Sequence, residues 1–245
     1  MTEGEARDSM RPLTMVVHGE SGVGKSYLAD TAPGPRLILD VEGGTSFTPS
    51  RKVPWDPRGP VPAVGPDDSV VVLITKFEDI DRAFQWLPTG QHPFRSVIID
   101  SLSELQKRAI DMIAGTSQMQ QSDYGALLRK IEANVRSFRD LKMNPVRPVE
   151  VICIVSGSKE KGVKDPVIRP LLQGQIAEQL AYFVDVQGYM TNTVGPDGQI
   201  ERKLQVVPIN NIAAKDRTGR LGVYITNPTI PMMLDMVYGE EIVPE

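Results

Sequence analysis

A chain of 245 residues with 40% apolar side chains is long enough for one large α/β domain with a substantial core. Its 27 basic and 31 acidic side chains leave a formal charge of −4, which excludes a general coat for polyanions and confines any nucleic-acid contact to a local basic patch. A single cysteine, Cys153, excludes an internal disulfide and fits a reducing cytoplasm, the expected location, and no apolar run approaches the ~20 residues that span a bilayer.

Residues 1–11 are polar and charged, unlike a signal peptide, and read as a flexible tail ahead of a single domain over 12–245. The apolar run L-T-M-V-V-H at 13–18 predicts a buried strand. G-E-S-G-V-G-K-S follows it, with a short helix expected over 25–32, stopped by Pro33. R-L-I-L-D at 36–40 predicts a second buried strand. The prolines from Pro49 to Pro66 remove backbone donors and fix φ, which predicts a surface insertion at about 48–68 rather than sheet. A strand at 70–74, a helix at 77–87, a strand at 96–100 and a helix at 102–114 come next.

A polar loop at 115–122 leads to the strongest helix pattern, 124–141, with Leu127, Ile131, Val135 and Phe138 as its apolar stripe. Glu132–Arg136 and Arg136–Asp140 stand at i,i+4 spacing on its other face. A fifth strand at 149–155, a loop with several basic residues at 157–170 and a helix at 175–183 follow. Segments 185–193 and 199–207 alternate around G-P-D-G, which predicts a hairpin. A polar stretch at 210–220 precedes a short strand and a helix near 231–238. Strands alternating with helices predict an α/β fold, a mostly parallel sheet flanked by helices with an antiparallel hairpin at one edge.

Gly19, Glu20, Ser21, Gly22, Val23, Gly24, Lys25 and Ser26 complete the Walker A pattern between a buried strand and a helix, with Tyr27 directly after it. Glycines let successive N–H groups converge on phosphate oxygens; Lys25 would bridge the β- and γ-phosphates and Ser26 would give its hydroxyl to Mg²⁺. Asp100 ends the apolar strand V-I-I-D, the Walker B arrangement, and is the second expected magnesium ligand. Asp40 and Glu42 close the second strand beside the loop; Glu42 is the candidate base for the attacking water and Asp40 its support. ATP and Mg²⁺ are therefore the expected cofactors.

The order of strand, P-loop, helix, Asp40-Val41-Glu42 and Asp100-Ser101 resembles the RecA-like ATPases. A closer likeness is to phage-encoded single-strand annealing ATPases of the Sak-four type, carried by G-E-S-G-V-G-K-S, L-I-L-D-V-E-G-G, I-I-D-S-L-S-E-L, D-Y-G-A-L-L-R-K and A-A-K-D-R-T-G-R-L-G in that order. The resemblance implies a RecA-like core, ATP hydrolysis stimulated by single-stranded DNA, and action in recombination, annealing or replication, in the host cytoplasm if the protein is phage-encoded. It supports Glu42 as the catalytic glutamate. It also implies a homo-oligomer with ATP at the subunit interface, where Lys215 and Arg217 reach the neighbour's phosphates. A single-strand binding protein is a candidate partner, and no membrane is.

By position, the DNA-facing loops of such proteins match 115–122 and 157–170. The second carries Lys159, Lys161, Lys164 and Arg169 against Glu160 and Asp165, a local basic excess suited to phosphate contacts, and its glycine and proline would leave it mobile. The chain departs from the family where Val155-Ser156-Gly157-Ser158 replaces the usual glutamine or histidine that senses the γ-phosphate. Two other functions fit the P-loop: a nucleotide or metabolite kinase, with 157–170 as a lid, and a nucleotide-gated loader of a replication protein. His18, His92 and Cys153 read as packing residues, as do Trp55, Trp86, Tyr124 and Tyr182.

Overall fold

The apolar runs near residues 13, 36, 96 and 151 become the centre of one sheet in the computed structural model, which describes residues 11–239. Its strands are β1 (Leu13–Gly19), β2 (Arg36–Asp40), β3 (Lys52–Pro54), β4 (Ser69–Leu73), β5 (Ser96–Asp100) and β6 (Val151–Ser156), then β9 (Val186–Val194), β10 (Ile200–Gln205), β11 (Lys215–Asp216) and β12 (Tyr224–Thr226). Two more, β7 (Ser158–Lys161) and β8 (Val167–Pro170), pair only with each other. The order across the sheet is β12-β10-β9-β1-β6-β5-β2-β4-β3, with β11 against β9. From β9 to β3 the neighbours run parallel, while β10, β11 and β12 add antiparallel pairs at one edge.

Alternate residues of each central strand feed two cores, as the two-residue repeat of a strand requires. Leu37, Leu39, Val97, Ile99, Ile152 and Ile154 face one side, where they meet α2 (Phe77–Trp86), α3 (Leu102–Ala114), α4 (Gln121–Asp140) and α5 (Ile176–Phe183). Met15, Val17, Ile38, Ile98, Val151 and Cys153 face the other, against α1 (Lys25–Asp30) and α6 (Ile230–Tyr238). Every residue of β1, β2, β5 and β6 is buried, so helices cover both faces at the centre. Each fully buried Ile, Leu or Val there contributes about 1.5–3 kcal/mol of apolar burial.

Several expectations need correction. The proline-rich stretch is not free of sheet: Lys52, Val53 and Pro54 pair in parallel with Ser69, Val70 and Val71. An edge strand needs donors on one side only, so Pro54 is tolerated there. Trp55 beyond it stacks edge-on against Trp86 at 4.8 Å, which ties the segment to the core. Where a loop was expected over 157–170, residues 158–161 and 167–170 pair as a hairpin, and Gly162, at φ 116, opens its turn. Helix α4 starts at Gln121, before the expected 124, because Asp123 accepts from the Gln120 N–H at 2.8 Å. Asp140 pairs with Arg139, not Arg136, which lies 3.7 Å from Glu132 and over the Phe183 ring. Tyr124 and Tyr182 are not core residues, being 47% and 77% exposed. The expected tail lies outside the described residues except for Arg11, whose guanidinium reaches Asp235 at 2.6 Å. Among the described residues no helix is long and apolar enough to cross a membrane.

Candidate functional site

Parallel register gathers the carboxyl ends of the central strands. Asp40 of β2 stands level with Asp100 of β5, and His18 of β1 with Ser156 of β6. Open α/β sheets bind ligands along this edge. Between β1 and α1 the chain makes the glycine loop. Gly24 sits at φ 101, a left-handed angle that costs glycine nothing. Gly19 is fixed by proximity: a Cβ there would lie 2.5 Å from the Met190 carbonyl oxygen of β9.

Four of the sequence-chosen side chains meet at this edge. Lys25 Nζ donates to the carbonyls of Gly19 at 3.1 Å and Glu20 at 2.5 Å, and its charge faces Asp100, Glu42 and Glu20. Burial pulls its pKa down, and those three carboxylates oppose the fall. Asp100 is 4% exposed, and its carboxyl faces the Ser26 hydroxyl. Burial pushes it up to about 6, with Glu42 and Asp40 adding repulsion while Ser26 and Lys25 pull back. Glu42 sits at the rim and accepts a hydrogen bond from the Ser101 hydroxyl.

Asp40 has a different task. Its Oδ1 accepts from Gly43 N at 2.7 Å, and its Oδ2 accepts from Thr45 Oγ1 at 2.6 Å. It is buried and holds the turn that presents Glu42, an orienting role. Together these groups open on a cleft of about 640 Å³ whose walls include the loop from Gly19, Ser26, Tyr27, Glu42, Phe47, Asp100 and Ser158. A polar cleft with a cation, a perturbed carboxylate and a main-chain loop suits a polyanion with an accompanying metal ion. Ser26 and Asp100 offer hard oxygen donors, the chemistry Mg²⁺ prefers, and a cation there would relieve the buried charge of Asp100.

Sequence reasoning missed how the loop is tied to its surroundings. His18, directly before Gly19, is fully buried, with Nε2 2.8 Å from the Ala213 carbonyl and Nδ1 2.7 Å from Ser158 Oγ. A carbonyl only accepts, so Nε2 carries the proton and Nδ1 accepts from Ser158. Burial, ahead of Lys25, pulls His18 down to about 4, in keeping with a neutral ring. Ser158 at the cleft is thus bound to the loop strand, while Ser156 is buried 3.0 Å from Ser103 Oγ. Arg202 of β10 also lies against the loop, over Gly24 and the Tyr27 ring. A polar residue on an alternating strand of the antiparallel hairpin gave no sign of this.

The basic candidates outside the loop divide. Arg169 is buried and paired with Glu178 at 2.6 Å, and the Lys159 ammonium donates to the Leu172 carbonyl, so both are turned into the protein. Lys161 lies only 3.9 Å from Glu178 and is exposed, as is Lys164. Lys215 donates to the carbonyls of Ala181 at 2.5 Å and Val184 at 3.0 Å, and Arg217 pairs with Asp185 at 3.0 Å. Asp216 is level with Val186, and Val186 with Met15. Lys215 and Arg217 therefore flank a level about 13 Å down β1 from Gly19, far from their own chain's cleft.

A family model described as an AAA domain (AAA_24) matches residues 11–218. No match is found among curated proteins. Among solved structures, the chain is similar to the crystal structure of the flagellar accessory protein FlaH from Methanocaldococcus jannaschii, with 10% identity and a TM-score of 0.46 over 92% of this chain and 90% of that one.

Proposed function

This chain belongs to the AAA-domain family (AAA_24), and on that premise we propose that it binds ATP with Mg²⁺ and hydrolyses it. The observation that carries this reading is the meeting of Lys25, Ser26, Asp100 and Glu42 in one cleft at the ends of β1, β2 and β5. Loop amides and Lys25 would hold the β- and γ-phosphates. Ser26 and Asp100 would hold Mg²⁺, which when bound neutralises charge on the phosphoryl oxygens. Glu42, oriented by Ser101 and by the Asp40-held turn, would align and deprotonate the attacking water.

We further propose that the protein acts on single-stranded DNA as an oligomer, in phage-type annealing, recombination or replication. Two observations favour it. Lys161 and Lys164 project from the β7–β8 hairpin, whose first residue is bonded to the loop strand through His18. Arg217 and Lys215 stand at the end of the sheet remote from their own cleft, so phosphates that they reach would be a neighbour's. ATP turnover measured with and without single-stranded DNA tests both halves. Turnover that vanishes in Lys25→Ala and rises several-fold with DNA supports the whole reading. Turnover indifferent to DNA at low salt removes the DNA half, and phosphate transfer to a nucleoside monophosphate would put a kinase in its place.

A further inference from the structure

The cleft accounts for phosphates and metal but leaves one cation beside the loop without a task. Arg202 lies with its guanidinium carbon 4.8 Å from the Tyr27 ring centroid. Its stem packs on Gly24, where a Cβ would come within 2.5 Å of Arg202 Nε. Asn227, directly after β12, fixes the strand at this point: its Oδ1 accepts from Arg202 N at 2.9 Å and its N–H donates to Arg202 O at 2.7 Å. Among the described residues no carboxylate pairs with Arg202; the adjacent Glu201 pairs with Lys203 at 3.2 Å. A guanidinium whose main chain is fixed in this way, lying on a ring and with no carboxylate partner, keeps a planar face and donors for a ligand.

Direction along the loop says which part of the ligand that is. Ser26 faces Asp100. Tyr27 follows it, about 100° around the helix, and its ring meets β10 instead. Tyr27 is 42% exposed and forms part of the cleft wall. A triphosphate held by the loop with its γ end between Asp100 and Glu42 would run its nucleoside end toward this flank, where Tyr27 lines the cleft. We propose that the Arg202–Tyr27 pair is the platform on which the base and ribose of the bound nucleotide rest, by stacking and cation–π contact. This rests on the phosphate site argued above, and it adds Arg202 as an affinity-determining residue contributed by the antiparallel edge of the sheet.

Calorimetric titration of the full chain with ATP·Mg and with inorganic tripolyphosphate·Mg separates the two ideas. Arg202→Ala and Tyr27→Leu should each weaken ATP about ten- to hundred-fold, the range expected for one lost stacking contact. Both should leave tripolyphosphate within about twofold, which also reports that the variants are folded. Arg202→Lys should not restore ATP, because an ammonium keeps the charge but not the plane. Equal weakening of both ligands, or recovery in Arg202→Lys, overturns the platform in favour of a simple phosphate contact. Unchanged ATP affinity in Arg202→Ala overturns any contact. Lys25→Ala is the independent control: tripolyphosphate binding that survives it removes the phosphate site itself.

Discussion

The edge at Gly19, Asp40 and Asp100 and the region of the β7–β8 hairpin with residues 213–217 were both marked in the sequence by charged residues, yet they differ in what those residues do. At the first, Lys25, Asp100 and Glu42 face a common cleft. At the second, Arg169, Lys159, Lys215 and Arg217 are held by Glu178, Asp185 and main-chain carbonyls of the same chain. A motif of fixed spacing between a strand and a helix dictates where its side chains go. A run of basic residues dictates only composition, and nearby carboxylates and carbonyls take up the charge.

Arg217→Ala is the largest expected difference between the two regions. As a finger in trans, its loss should lower turnover about 10³- to 10⁵-fold while nucleotide binding persists. As a partner of Asp185 alone, a half-exposed pair, its loss should cost stability of at most about 1 kcal/mol and leave turnover untouched. Mixing Arg217→Ala with Lys25→Ala chains sharpens this, because activity that returns on mixing requires sites shared between subunits.

The next effect is on stability. Burial pulls both His18 and His92 down to about 4 from an ordinary 6.5, so the native state keeps them neutral. Above pH 6.5 neither state protonates them and their contribution is full. Between 6.5 and 4 the unfolded chain takes protons first, and stability falls by up to about 2–3 kcal/mol per histidine before levelling. Asp100, pushed up to about 6, acts in the opposite sense: between about 6 and 3.8 the native state takes the proton first and gains stability. Urea denaturation at pH 7.5 and 5 should therefore show a loss in the parent, a smaller loss in His92→Phe, and a larger one in Asp100→Asn. His92 belongs to the aromatic cluster of Trp86 and Phe94, so phenylalanine suits its place.

The smallest effect belongs to the exposed hairpin. If Lys161 and Lys164 contact DNA phosphates, each change to alanine should reduce the slope of log K against log salt by about 1. Arg169→Ala should instead lower stability through Glu178, with no change in that slope.

What could be read from residues alone follows the same division. The loop from Gly19, the strand ending in Asp100 and the turn after Asp40 rest on local spacing and on apolar runs, and they stand in the structure at one edge. The strand at Lys52–Pro54 was hidden because prolines argue against sheet, and only a neighbour with a free edge, β4, makes the pairing possible. Arg202 and His18 were hidden because their partners lie far away in sequence: Tyr27 for one, Ser158 and Ala213 for the other. No periodicity records such contacts.

Glu42→Gln examined for ATP binding and for a single turnover tests the shared cleft most directly. The side chain keeps its size and its place beside Ser101 but loses the base. ATP·Mg should bind within a few-fold of the parent while hydrolysis falls about 10²- to 10⁴-fold. Hydrolysis at the parent rate would contradict the assignment of Glu42 and of the cleft it shares with Lys25, Ser26 and Asp100.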